Sequence, residues 1–193
     1  IGERLWSEYR RWPMYSKFFD NKGVLPLHIH HRDEHARLVN QFGKPEAYYF
    51  PVQLNNYGAD FPYTFFGLKP GTTKSHLLEC LKDFTKGDNR ITDLSAAYRL
   101  EPGTAWDVPP GILHGPGSLC TYEPQRASDV YAMYQSVVGD AVVPEELLWK
   151  DSPPEKRGDF AYLIDVLDWE ANVDPQFAEH HFMRPRPAKP EQD

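Results

Sequence analysis

The fold is decided by one polar stretch, Pro26-Leu27-His28-Ile29-His30-His31-Arg32-Asp33-Glu34. Two of its histidines, His28 and His30, stand two residues apart. If the segment is a strand, both imidazoles leave the same face of a sheet, while Leu27 and Ile29 point to the other face. A β-scaffold presents a chelating pair in this way, so the stretch predicts a β-fold that holds a metal site.

Two further residues would complete a set of ligands. Glu46 opens an apolar run at residues 47–50, and His114 ends a Pro/Gly turn at residues 109–113. Together with the two histidines they would supply three nitrogens and one oxygen. Such ligands suit a divalent metal, with zinc first and iron, manganese or nickel as alternatives, and they leave at least one position for a substrate.

The histidines also allow a purely structural interpretation. His28, His30, His31 and His35 could form a solvated polar edge, and the last two, at i and i+4, could pair on a helix. Short motifs of this kind have high false-positive rates when they are taken alone. The downstream carboxylate and the third imidazole favour the metal site.

Composition restricts the class of partner. The chain has 193 residues, 40% of them hydrophobic, which is enough for one sizeable core. Its net charge of −7 argues against nucleic acid or an anionic membrane as partner. Cys80 and Cys120 are too few for a disulfide framework, which favours the reduced cytoplasm. We find no membrane span and no signal peptide, and the initial Ile indicates a processed form or a piece of a longer protein.

Short strands separated by Gly and Pro predict an all-β sandwich or barrel. Residues 1–23 form an N-terminal arm, where Trp6, Tyr9 and Trp12 mark a short helix whose aromatic face packs on the body. Residues 24–138 form the barrel, and residues 139–193 form a C-terminal arm and tail.

Two further helices and a packed arm are expected. Asp33 can cap one that runs through Gln41 and ends at Gly43. Residues 72–86 carry a leucine stripe and form an inserted helix that covers one end of the barrel. A periodic run at 160–169 is laid against the barrel, and the Pro-rich, charged residues 184–193 indicate disorder.

Four ordered segments resemble the cupin superfamily and, within it, the type I mannose-6-phosphate isomerases. The segments are His28-Ile29-His30, Gly43-Lys44-Pro45-Glu46, Pro109-Pro110-Gly111-Ile112-Leu113-His114 and Tyr122-Glu123-Pro124-Gln125-Arg126-Ala127-Ser128-Asp129. The resemblance spans about half of the chain. It implies an antiparallel jelly-roll barrel. It also implies that the metal ligands are His28, His30, Glu46 and His114, and that Lys44 lies beside the substrate as a catalytic residue.

Two departures from the isomerase pattern bear on function. His28 stands where these isomerases usually have Gln. In addition, the strand after Asp129 reads Val130-Tyr131-Ala132-Met133 and lacks the family's active-site arginine. The cations left to replace it are Lys44, then Arg99, Arg126 and Lys74. We therefore expect a small sugar substrate that is neutral or weakly phosphate-dependent.

Other functions fit the same ligand set. The first expectation is a metal-dependent aldose–ketose isomerase. A cupin that binds metal or sugar without catalysis is one alternative, and an iron-dependent cupin dioxygenase is another. A homodimer is the candidate assembly.

Overall fold

Two five-stranded antiparallel sheets form the body of the computed structural model, which describes residues 2–186. The first sheet contains, in spatial order, β1 (Met14–Phe19), β8 (Thr121–Arg126), β3 (Glu46–Tyr49), β6 (Ala105–Val108) and β12 (Phe182–Met183). The second contains β5 (Ser95–Arg99), β4 (Tyr63–Leu68), β7 (Leu113–Gly115), β2 (His28–Ile29) and β9 (Ala132–Met133). A small hairpin joins β10 (Val137–Val138) to β11 (Ala141–Val142).

Seven short helices accompany the sheets in residues 2–186. They are α1 (Glu3–Tyr9), α2 (Asp33–Ala36), α3 (Lys74–Lys82), α4 (Glu145–Leu148), α5 (Phe160–Val166), α6 (Trp169–Asn172) and α7 (Phe177–His181). Within the same range, no helix is long and apolar enough to cross a bilayer. The predicted antiparallel β-fold is confirmed as a cupin-like sandwich, but the described strands form two separate sheets where a closed barrel was expected.

Alternation along the strands decides which side chains reach the space between the sheets. In β8 every second side chain, from Thr121 through Glu123 to Gln125, is buried, and those between are half-buried. Residues directly opposite in an antiparallel pair share a face. Lys17 of β1 lies opposite Glu123 and is therefore on the inner face too. The first sheet thus directs charged side chains into the interior.

The outer face of the second sheet is covered by helices. Ile29 and Leu113 are buried in one apolar cluster with Leu77 and Leu81 of α3 and with Leu163 of α5. The predicted helix is present, but its expected position over one end of a barrel is wrong. Its leucine stripe is part of the core because the outer face of the second sheet is itself apolar.

Shortening a buried side chain of α3 tests whether the helix belongs to the core. Leu81 is 0% exposed, so Leu81→Ala should lower the free energy of unfolding by about 2–5 kcal/mol. Urea unfolding of both proteins measures the difference. Glu79→Ala, on the exposed side of the same helix, is the control and should change stability by less than about 0.5 kcal/mol. Equal effects of the two variants would contradict the assignment.

Both predicted arms contribute strands to the first sheet. β1 lies within residues 1–23 and pairs along its whole length with β8, while β12 pairs with β6. The expectation that α1 packs its aromatic face on the body is wrong, because Trp6 and Trp12 are 49% and 53% exposed. No residue of α1 is buried. Disorder is expected for residues 184–193. Of these, residues 187–193 lie outside the described residues.

The helix that follows His28-Ile29-His30 is shorter than expected. α2 ends at Ala36 and continues as a 3₁₀ turn, and Asn40, with φ 58°, provides the left-handed stop that was assigned to Gly43. Gly43 matters for a different reason. A Cβ there would lie 2.8 Å from the main-chain nitrogen of Asp33, whose side chain accepts the Gly43 N–H at 2.8 Å.

Candidate metal centre

Three imidazoles meet between the two sheets. His28 lies on β2, His30 one residue beyond it, and His114 on β7. The strands β2 and β7 are neighbours, and His28 stands directly opposite His114. One ring nitrogen from each of the three lies within 4.8 Å of the others, and all three side chains are buried. Strand pairing therefore joins residues that are far apart in the sequence.

Glu46 reaches the same point from the opposite sheet. It is the first residue of β3 and is buried. Its Oε1 lies 3.2 Å from Nε2 of His114, and its Oε2 lies 3.2 Å from Nε2 of His30. The hydroxyl of Tyr48, on the same face of β3, donates to Oε1. The four predicted ligands thus converge.

Main-chain carbonyls set the tautomer of each imidazole. Nδ1 of His28, His30 and His114 donates to the main-chain oxygens of Pro26, Val130 and Ile112, at 2.8, 2.8 and 2.9 Å, respectively. A carbonyl can only accept, so each Nδ1 carries a hydrogen, and in the neutral ring Nε2 then carries a lone pair. Burial lowers the pKa of His30 and lowers that of His28 well below its ordinary value. Neutral imidazoles of this tautomer are the form that binds a metal.

The residues present fit a divalent cation. With a neutral His114 ring, its Nε2 and Oε1 of Glu46 are both acceptors 3.2 Å apart, and the buried Nε2 has no hydrogen-bond donor. Two lone pairs at this distance repel each other, and an unsatisfied buried acceptor costs free energy. A cation bound by both atoms would remove the repulsion. The ligand role of the four side chains remains a prediction on this basis.

Lys44 binds two of the four predicted ligands directly. Its buried Nζ lies 3.0 Å from Nε2 of His30 and 2.9 Å from Oε2 of Glu46. Oε1 of Glu123 lies 3.5 Å away. A metal held by His30 and Glu46 would compete with the Lys44 ammonium for the same lone pairs. Glu123 offers this ammonium a second partner. The predicted catalytic lysine is therefore in contact with the centre.

Two charged residues of the site were missed in the sequence. Glu123 is buried on the inner face of β8, and Nζ of Lys17 binds its Oε1 at 2.9 Å. Burial and the charge of Glu46 raise the pKa of the Glu123 carboxyl. Alternation in β8 gave no signal for Glu123, because Thr121 and Gln125, which share its parity, are polar as well and would be expected on a solvent-facing side. Lys17 had no signal either, in a segment assigned to an arm.

A cavity of about 270 Å³ opens beside these groups. Its polar wall consists of Lys17, His28, His30, Lys44, Glu46 and Glu123, and its apolar wall of Phe19, Leu25, Tyr48 and Pro116. Small-molecule sites usually measure roughly 300–1,000 Å³. The cavity lies just below that range, which suits a molecule the size of a monosaccharide.

The three cations considered as replacements for the family arginine lie away from this cavity. Arg126 pairs with Asp33 at 2.7 Å, and Nζ of Lys74 lies 5.5 Å from the ring centre of Trp169. Arg99 is exposed at the end of β5. Among the described residues, the cations that line the cavity are Lys17 and Lys44.

The alternative of a solvated histidine edge is wrong. His31 is 0% exposed, and His35 is also buried, with its Nε2 3.1 Å from Oδ2 of Asp165. Burial lowers the pKa of His31 to about 4. All four histidines of the segment are buried.

Comparison with known proteins gives matches among solved structures. No family model matches the chain, and no curated protein sequence matches it. The mannose 6-phosphate isomerase from Bacillus subtilis matches with a TM-score of 0.57 and 20% identity, over 85% of this chain and 50% of that one. A mutant of the phosphomannose isomerase from Salmonella typhimurium matches with a TM-score of 0.65 and 10% identity, over 98% and 61%.

A zinc-bound mannose 6-phosphate isomerase also matches, with a TM-score of 0.57 and 10% identity, over 88% of this chain and 57% of that one. This chain thus spans about half to six tenths of the length of these structures. The resemblance carried by the four sequence segments is confirmed at the level of the fold. The chain has the cupin-like fold of the mannose-6-phosphate isomerases.

Proposed function

We propose that this chain is a metal-dependent cupin of jelly-roll topology that interconverts a neutral aldose and its ketose, with zinc as the metal. One observation carries the proposal: Lys44 and Glu123 lie against a set of three histidines and one glutamate, at the wall of a monosaccharide-sized cavity. The zinc-bound isomerase among the similar structures supports it.

Each residue has a chemical task in this proposal. A divalent metal, when bound, would polarise the carbonyl and hydroxyl oxygens of the sugar. Glu123 takes a proton from one carbon and returns it to the neighbouring carbon, a task that its raised pKa favours because it makes the carboxylate a stronger base. Lys44 stabilises the negative charge that develops on the sugar oxygens.

The charges of the cavity favour a neutral substrate. Proteins hold a phosphate by charge-assisted hydrogen bonds from Arg or Lys. Here Lys17 is paired with Glu123 at 2.9 Å, and Lys44 is paired with Glu46 at the same distance. A phosphate would have to displace one of these carboxylates and would then face the other. A neutral sugar meets no such repulsion.

A substrate panel tests this specificity. The metal-loaded protein should convert mannose or fructose with a kcat/KM about one to two powers of ten above that for the 6-phosphates, since one charge-assisted hydrogen bond is worth roughly 1.5–3 kcal/mol. Turnover is measured at fixed ionic strength, with the metal-stripped protein as control. Efficient, saturable conversion of mannose 6-phosphate would contradict the neutral preference.

The same panel separates the other functions. Sugar binding to the metal-loaded chain without any turnover would support a non-catalytic cupin. Oxygen consumption by the iron-loaded chain, with no isomerisation, would support a dioxygenase. If mannose 6-phosphate is the better substrate, Lys17→Met decides whether Lys17 has the role of the missing arginine, because it is the cavity cation that contacts none of the predicted ligands.

A further inference from the structure

Asn172 is a buried side chain that joins the C-terminal segment to the turn before His114. It is the last residue of α6 and is 1% exposed. Its Nδ2 donates to the main-chain oxygens of Gly111 and Asp168, each at 2.6 Å, and its Oδ1 accepts the N–H of Leu113 at 2.9 Å. Both amide hydrogens and the amide oxygen are thus bound to main-chain groups.

One of these bonds acts on the peptide unit that orients His114. The N–H of Leu113 and the C=O of Ile112 belong to the same planar peptide and point in opposite directions. Asn172 holds the N–H side of this plane, and the carbonyl on its other side accepts the Nδ1–H of His114 at 2.9 Å. Linked hydrogen bonds of this kind polarise one another. The direction of the His114 ring therefore depends on Asn172.

The same turn also contacts His30. The N–H of Gly111 donates to the main-chain oxygen of His30 at 2.8 Å, and the carbonyl of Gly111 accepts from the N–H of Asp168 at 3.0 Å as well as from Asn172. Gly111 has φ +89°, and a Cβ there would lie 2.9 Å from the nitrogen of Asp168. The turn and the start of α6 are thus in direct main-chain contact.

A second glycine lets β4 close on Asn172. Gly67 has φ +63°, and a Cβ at this position would lie 2.7 Å from the main-chain oxygen of Asn172. The amide is therefore enclosed between β4 and the turn at residues 109–113.

We propose that Asn172 is a positioning residue of the metal centre, which acts on His114 through the Ile112–Leu113 peptide. The proposal rests on the metal site of the proposed function. An amide is required because it donates to the carbonyl of Gly111 and accepts from the N–H of Leu113 at the same time. Aspartate can accept but cannot donate to Gly111, and leucine of similar size does neither.

The experiment compares Asn172→Asp and Asn172→Leu with a matched control. Asn89 is another buried amide that bridges main chain, since its Nδ2 donates to the oxygen of Tyr134 at 2.8 Å, but it touches none of the predicted ligands. Affinity for zinc is measured by competition with a chelator, and the geometry of the centre by the visible spectrum of the Co²⁺-loaded protein. The thermal midpoint is recorded for all three variants.

The two Asn172 variants should bind zinc about tenfold more weakly, the lower end of the roughly 10–100-fold loss that is typical when the direct partner of a metal-binding histidine is removed, because Asn172 acts on His114 only through that partner, and their Co²⁺ bands should shift. Asn89→Leu should lower the thermal midpoint while leaving the affinity and the spectrum unchanged. Wild-type affinity and spectrum in folded Asn172 variants would overturn the proposal. So would equal changes in the Asn89 control, because they would show a general effect of destabilisation.

A measurement on the unaltered chain keeps the proposal testable if the variants do not fold. In metal-free protein labelled with ¹⁵N-histidine, His114 should have a protonated Nδ1 whose hydrogen exchanges slowly. A protonated Nε2 with free Nδ1 would overturn the positioning role. Absence of zinc binding by the wild-type chain, in contrast, would contradict the proposed function itself, while the tautomer of His114 would still be measured independently.

Discussion

Replacing His114 by alanine is expected to reduce the metal content of the purified protein to near zero, with zinc affinity lower by at least about a hundredfold. Loss of an outer hydrogen-bond partner of a ligand already costs about 10–100-fold, and here a predicted ligand itself is lost. His114 is also in contact with Glu46, so the carboxylate loses the neighbour with which it would share the ion. Elemental analysis and chelator competition measure the effect.

The control for this experiment is a substitution of another buried histidine, His35 on α2. His35 is as enclosed as the predicted ligands, but its ring contacts Asp165. His35→Ala should therefore keep the wild-type metal content even if its stability falls. Circular dichroism must show that both variants retain the β-sandwich. Unchanged metal occupancy in a folded His114→Ala protein would exclude His114 from the centre.

Replacing Glu123 by glutamine is expected to lower kcat for sugar isomerisation by about 10²–10⁴-fold, the usual contribution of a general base. Glutamine preserves the size of the side chain and its acceptor oxygen, but it cannot take up a proton from carbon. Metal content should stay the same, because Glu46, and not Glu123, contacts the imidazoles. Steady-state kinetics with the preferred sugar and elemental analysis of the same sample provide the two readouts.

Glu79→Gln, on the exposed side of α3, is the matched control and should leave kcat unchanged. Loss of turnover together with loss of metal would show that Glu123 acts as a ligand instead. Full turnover by the glutamine variant would mean that another group moves the proton. Solvent deuterium incorporation into the product distinguishes proton transfer through a base from direct transfer between the two carbons.

Three short segments were enough to predict that His28, His30, Glu46 and His114 meet. The spacing of His28 and His30 follows from the two-residue period of a strand, which is a local property of the backbone. Glu46 and His114 were recognised by the turns and strands that carry them, and both converge with the histidine pair in the structure. The short strands separated by Gly and Pro also predicted a β-sandwich or barrel.

Other features depended on which elements pack together. The leucine stripe of α3 showed that one face of the helix is buried, but the amphipathic pattern did not specify the surface that buries it. The position of Lys17 in the cavity requires the pairing of β1 with β8, which joins residues about a hundred positions apart. Such a pairing leaves no periodic trace in either segment.

The sequence by itself determined the types of the candidate ligands, the strand period that aligns two of them and the absence of an arginine from residues 130–135. The tertiary structure alone decided that Glu123 and Lys17 join the centre, that α3 belongs to the core, and that Asn172 holds the turn before His114. The physical reason is the sequence separation over which each kind of interaction acts. Side-chain alternation and turn chemistry act over a few residues, whereas buried ion pairs and main-chain clamps form only when distant segments are brought together by the burial of a common apolar core.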